Sequence, residues 1–116
     1  MTDLKNDEDV FKSWIHETHE VAKSKGWHDK PSCCMSKYFA LLHGEVSEAM
    51  EDDRVGKHEL YLDEHGKPCG LPSELADIVL RVFDLCGEYN IDLFDALIKK
   101  MAYNKTRPHK HGGKKY

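Results

Sequence analysis

Two short acidic motifs carry the strongest chemical signal in the chain. Glu45-Val46-Ser47-Glu48 reads E-x-x-E, and Glu74-Leu75-Ala76-Asp77 reads E-x-x-D. Residues three apart on a helix share a face, so each pair projects two carboxylates to one side. Each pair also sits in an apolar stripe. Glu45 and Glu48 flank Val46 and Ala49, and Glu74 and Asp77 flank Leu75 and Ile78. Carboxylates at the edge of a buried face repel one another and lose solvation unless something compensates them. A hard divalent cation does so. Mg²⁺ takes oxygen ligands in octahedral geometry and keeps positions open for water and phosphate. Two facing helices with these pairs therefore predict a Mg²⁺ platform. Ordinary solvated or salt-bridged helix faces are the alternative.

A second constellation lies near the end of the chain. Lys100, Asn104 and Arg107 fall at i, i+4 and i+7, along one helical face. Lys and Arg bind phosphate oxygens, Arg often bidentately. Asn can bond a base or sugar edge. The alternative is a basic helix C-terminus that complements the macrodipole. The charge is unevenly divided along the chain. Seven of the 17 Lys/Arg and none of the 21 Asp/Glu fall in Lys99–Tyr116, so a net charge of −4 hides a body of −11. The pattern fits a divided site, with carboxylates for a cation and basic groups for an anion, or a solvated tail.

Four amphipathic segments must position these groups. The first runs from about Asp9 to Lys25, with Phe11, Trp14, Ile15, Thr18, Val21 and Ala22 at helical spacing and Gly26 at its end. The second spans about Ser32 to Arg54, with Tyr38, Phe39, Leu42, Val46, Ala49 and Met50 as its stripe. The third begins near Pro72-Ser73 and ends near Gly87, with an apolar face of Leu75, Ile78, Val79, Val82, Phe83 and Cys86. The fourth starts at the N-cap Asp92 and uses Leu93, Phe94, Leu97, Ile98 and Met101. Between Val55 and Leu71, alternating Glu59–Asp63 and the turn-like Glu64–Lys67 suggest a small hairpin or an irregular flap. The expected fold is all-α and four-helix bundle-like, a single domain over 1–116 with a basic tail from about 105. Helical hairpins bury little alone, so self-association is expected.

Composition narrows the classes further. A chain of 116 residues, 40% hydrophobic and 33% charged, is a folded domain and not a disordered one. The acidic balance argues against duplex nucleic acid as a partner. No apolar run reaches membrane-spanning length, and no signal peptide is evident, so a cytoplasmic location with reduced thiols is expected. His16-Glu17-Thr18-His19 lacks the i, i+4 histidines of H-E-x-x-H and reads as surface histidines. Cys33-Cys34 with His28 has no usual zinc spacing. Gly112-Gly113-Lys114 lacks the rest of a P-loop. His43 lies one turn from the acidic face, either as a partner of the metal ligands or as a half-buried structural histidine.

Taken in order, the motifs resemble the MazG-like group of all-α nucleoside triphosphate pyrophosphohydrolases. The likeness rests on Leu42–Ala49 with its E-x-x-E and on Glu74–Val79 with its E-x-x-D. Lys100–Pro108 followed by His111–Lys114 is similar to the closing motif of small single-domain bacterial and phage members. Lys25-Gly26-Trp27 resembles their segment after the first helix, and Lys67–Pro72 the segment before E-x-x-D. Residues 49–73, 25 positions, separate the two acidic motifs, and Gly44 stands where many relatives carry a further acidic residue.

The resemblance implies Mg²⁺-dependent hydrolysis of (d)NTP to (d)NMP and pyrophosphate, with Mn²⁺ as a possible substitute. It implies Glu45, Glu48, Glu74 and Asp77 as metal ligands, with Glu45 or Glu48 also orienting or deprotonating the water. Lys100 and Arg107 would neutralise the phosphate chain, and Asn104 would contact phosphate, sugar or base. Lys67 and Lys114 would be further phosphate contacts, in their own or a neighbouring subunit's site. Trp27 would stack on a base or belong to the core. A homodimer or homotetramer is expected by the same analogy. The competing expectation is a non-catalytic helical module that dimerises and binds a partner through its basic tail.

Overall fold

The computed structural model describes residues 3–30 and 34–108. Four helices dominate it, in the order α1 (Leu4–Ser24), α2 (Ser36–Arg54), α3 (Leu71–Tyr89) and α4 (Leu93–Thr106). Two two-residue strands, β1 (Tyr61–Leu62) and β2 (Pro68–Cys69), lie between α2 and α3. The all-α expectation therefore holds, with the linker resolved as a hairpin.

α1 starts at Leu4, earlier than the expected start near Asp9. Asp3 caps it instead, its carboxylate accepting from the Asn6 amide at 3.3 Å. The helix stops where Gly26 turns to φ +83°, and the Trp27 amide donates back to the Ala22 carbonyl at 3.1 Å. This turn carries Trp27 and His28 back toward α3. The expected start of the second segment at Ser32 lies outside the described residues. Asp92 caps α4 as expected, accepting from the Asp95 amide at 3.1 Å.

The hairpin is antiparallel, pairing Tyr61 with Cys69 and Leu62 with Pro68. One Asp63 carboxylate oxygen accepts from the His65 and Lys67 amides at 2.8 and 2.9 Å, which fixes the turn and the backbone of Lys67. Gly70, at φ +98°, enters α3. It is buried, and a side chain there would collide with the Glu59 carbonyl.

α3 is the central element, with α1 and α2 packed along it. Phe11 of α1 meets Phe83 of α3 edge-on at 5.3 Å and Phe94 of α4 at 5.7 Å. The core of the single chain is small. Among the described residues only Ala49, Phe83, Leu85 and Cys86 are buried apolar side chains. Several residues of the expected core stripes face outward, among them Trp14, Phe39, Met50, Leu75, Val79 and Met101. The chain exposes 9141 Å², against about 6,500 Å² expected for a compact monomer of its mass. Among the described residues no helix is long and apolar enough to cross a membrane.

Candidate functional site

α2 and α3 lie side by side, and their acidic motifs meet. Carboxylate oxygens of Glu45, Glu48 and Glu74 all lie within 4.8 Å of one another. Glu45 and Glu74 are half-buried and Glu48 is exposed. Asp77, one turn beyond Glu74, shares a cleft with Glu45. That cleft has a volume of about 310 Å³, and Trp27, Lys25 and Arg81 also line it. Three of the four carboxylates expected to bind metal thus converge, and Asp77 lies beside them, close enough to act electrostatically on Glu45 and Glu74.

The cluster is compensated only in part. Burial pushes the Glu74 carboxyl above its ordinary value. Glu48, within hydrogen-bonding reach, pushes it the same way, and Asp52 and Asp77 add to the effect. Burial also raises Asp77, helped by Glu45 and partly offset by Arg81 and Lys67. One oxygen of Glu74, Oε2, is buried with no hydrogen-bond partner. A buried, unpaired carboxylate oxygen among like charges is costly. It is the kind of atom a hard cation satisfies, and the all-oxygen donor set suits Mg²⁺. The residues present fit such an ion.

Two contributors to this cluster escaped the sequence reading. Asp52 lies four residues after Glu48 and seven after Glu45, on the same face of α2, and acts on Glu74. Arg81 lies four residues after Asp77 on α3. Its Nε donates to Glu45 Oε1 at 3.1 Å, and its guanidinium sits 5.1 Å from the centre of the Trp27 ring. The i, i+4 spacing of Asp77 and Arg81 was visible in the sequence, whereas the contact with Trp27 was not.

The remaining candidates divide. Lys67, on the hairpin, is exposed and acts electrostatically on Asp77. Trp27 is 51% exposed and forms a wall of the cleft, so it is not a core residue. Lys100, Asn104 and Arg107 are exposed on α4 and its C-cap. Arg107 has extended backbone just past the helix and lies over Tyr103 at 5.6 Å. Within one chain these three do not join the carboxylates. Ile98 of α4 borders Leu4 and Lys5 at one end of α1, whereas Lys25, just past its other end, borders the acidic cleft. α1 has 21 residues, which makes it roughly 30 Å long. Lys114 lies outside the described residues. His43 is exposed, which removes its reading as a half-buried structural histidine.

A second polar cluster lies farther along α3. Both ring nitrogens of His28 are engaged. Nε2 is 2.9 Å from Asp84 Oδ1, and Nδ1 is 2.9 Å from the Tyr38 hydroxyl and 3.2 Å from Glu88 Oε2. His19 Nε2 is 2.9 Å from Glu88 Oε1. His19, expected at the surface, is mostly covered because α1 crosses α3 closely at Gly87.

Family models, curated proteins and solved structures were all compared with the chain, and none matches.

Proposed function

We propose that the chain is a Mg²⁺-dependent nucleoside triphosphate pyrophosphohydrolase of the MazG-like all-α type, acting in the cytoplasm as a homo-oligomer. The observation that carries this reading is the buried, unpartnered Glu74 Oε2 within a group of converging carboxylates. Glu45, Glu48, Glu74 and Asp77 would hold the ion, and Mn²⁺ would be tolerated by the same oxygens. When bound, it supplies charge neutralisation on phosphate oxygens and lowers the pKa of water.

The chain's own residues do the rest. Glu45 or Glu48 positions a water molecule and accepts its proton at a carboxylate oxygen. The water oxygen bonds to phosphorus as the α–β bridging bond breaks, giving (d)NMP and pyrophosphate. Trp27 offers a flat apolar face at the cleft for a base, held in place by Arg81. Lys67 approaches from the hairpin with a positive charge for the phosphates. The basic line Lys100, Asn104 and Arg107 would reach the phosphate chain from a second copy. The excess of exposed surface and the outward Phe39, Met50, Leu75 and Val79 support such an assembly.

A nucleotide panel with chromatographic product identification tests the reading. Monophosphate and pyrophosphate are expected, only with Mg²⁺ or Mn²⁺. Release of orthophosphate would refute it. The remoteness of α4 from the carboxylates in one chain favours a second reading, a non-catalytic dimerisation or interaction module that works through the basic end. Thermal stabilisation by Mg²⁺ with a non-hydrolysable nucleotide separates the two, since only the enzyme predicts it.

A further inference from the structure

We propose that His19, His28 and Asp84 form a second metal site, for a transition ion such as Zn²⁺, with Glu88 and Tyr38 orienting the histidines. This inference is independent of the reading of the acidic motifs.

The donor set is the first reason. One ring nitrogen of His19, one of His28 and a carboxylate oxygen of Asp84 lie within 4.8 Å of one another. Zn²⁺ with ligands about 2.1 Å away holds them roughly 3.4 Å apart in a tetrahedron, and its fourth position can be water. His28 Nε2 and Asp84 Oδ1 are already 2.9 Å apart, and the His19 ring centre lies 5.2 Å from that of His28. Imidazole with one carboxylate suits Zn²⁺, Co²⁺ or Fe²⁺ better than Mg²⁺.

The surroundings are the second reason. A metal-bound histidine usually gives its other N–H to a carboxylate or similar acceptor. That arrangement is present. With Nε2 on the ion, His28 Nδ1–H faces Tyr38 Oη and Glu88 Oε2. The same Glu88 carboxylate meets His19 through Oε1. The His28 side chain is only 6% exposed, so this ring is fixed rather than free in solvent. Charge is the third reason. Among the described residues no Lys or Arg pairs with Asp84 or Glu88, whose partners are the two histidines. An imidazole must be neutral to bind a metal, so the charge of the two carboxylates is left for a divalent ion to cancel.

The site would tie together α1, the turn after it, the start of α2 and the C-terminal half of α3. Asp84 follows Asp77 by seven residues, about 10 Å along the helix, and both line the same cleft. A cation at Asp84 would therefore add positive charge to the wall that faces the acidic cluster.

The test uses the whole protein with excess Mg²⁺, which saturates oxygen-only sites. Zn²⁺ is titrated while the histidine ring resonances are followed by long-range ¹H–¹⁵N NMR. Saturable shifts at two of the eight histidines, assigned to His19 and His28 from through-bond backbone-to-ring correlations in the wild type, are expected. Co²⁺ should give visible ligand-field bands that are lost in His19→Gln and Asp84→Asn but kept in Glu48→Gln. The proposal is overturned if Zn²⁺ leaves the His19 and His28 rings unshifted, or if the Co²⁺ bands depend on Glu48 and not on His19. The wild-type NMR titration decides the matter even if a variant fails to fold.

Discussion

Arg81 on α3 donates from Nε to Glu45 Oε1 on α2 across 3.1 Å, inside a group that otherwise carries only negative charge. The pair is largely covered, with Glu45 at 13% and Arg81 at 30% exposure. Its contribution should fall between the near-zero value of surface pairs and the several kcal/mol lost when a buried pair is broken. Arg81→Gln is therefore expected to cost about 1 kcal/mol of apo stability. The loss should shrink when Mg²⁺ is present, because the ion then compensates Glu45. Thermal melts of both proteins with and without Mg²⁺ check this. An equal loss under both conditions would mean that Arg81 acts only in packing.

Glu74 gives a prediction of opposite sign. Its folded pKa lies above the ordinary 4.5, chiefly through burial and then through Glu48. The folded chain thus holds this proton to higher pH than the unfolded chain does. Stability from the group is present in acid and is lost as pH rises from the unfolded value through the raised folded one. The penalty grows with pH through that window. Glu74→Gln removes it, and the amide can donate to Glu48. Without metal, the variant should melt a few degrees higher than the wild type at neutral pH. The gap should close below about pH 4, where Glu74 is protonated in both states. With Mg²⁺ the order should reverse, since only the wild type gains binding energy. Calorimetry at three pH values, with and without the ion, checks both halves.

Gly87 marks the closest approach of α1 and α3. A Cβ there would sit 2.6 Å from His19 Cβ and 2.7 Å from Cγ. In an exposed helix, Gly→Ala would stabilise by up to about 1 kcal/mol. Here overpacking should win, and Gly87→Ala should destabilise by about 1–3 kcal/mol. The displaced His19 should also lose Glu88, so its ring resonance should shift. A denaturant melt together with the NMR spectrum tests both effects. A more stable variant with an unmoved His19 would refute the close crossing.

The helices and the acidic motifs were legible because their signals are local. Period 3.6 marked all four segments, Asp92 announced its own cap, and E-x-x-E and E-x-x-D spacing placed each pair on one face. What was missed depends on contacts between distant parts of the chain. His28 meets Asp84 across 56 positions and His19 meets Glu88 across 69, distances at which no spacing rule operates. Asp52 was within reach of such a rule, at i+4 from Glu48, but only the approach of Glu74 gives it meaning. The apolar stripes were read as buried faces, with self-association expected. Periodicity records that a face is covered, not by which chain, and so Phe39, Leu75 and Val79 emerge on the outside.

That outward face leads to the last prediction, which concerns where the phosphate-binding residues come from. In one chain Lys100 lies on α4 and Arg107 at its C-cap, beyond the α1 end that borders Ile98, while the carboxylates lie near the other end. A composite site needs two copies of the chain, and closed symmetric dimers are the commonest way to supply them. Glu48→Gln removes the acidic half, and Lys100→Ala with Arg107→Ala removes the basic half. Each variant alone should be inactive as a homodimer. In a mixed dimer one site collects every substitution and the other collects none. Random exchange of equal amounts makes half the dimers mixed, so about one quarter of wild-type turnover should return. Light scattering establishes the assembly, and turnover of the mixture after subunit exchange reads out the complementation. Recovery near zero, with exchange demonstrated, would place both halves of the site in the same chain and exclude α4 of a second copy from the chemistry.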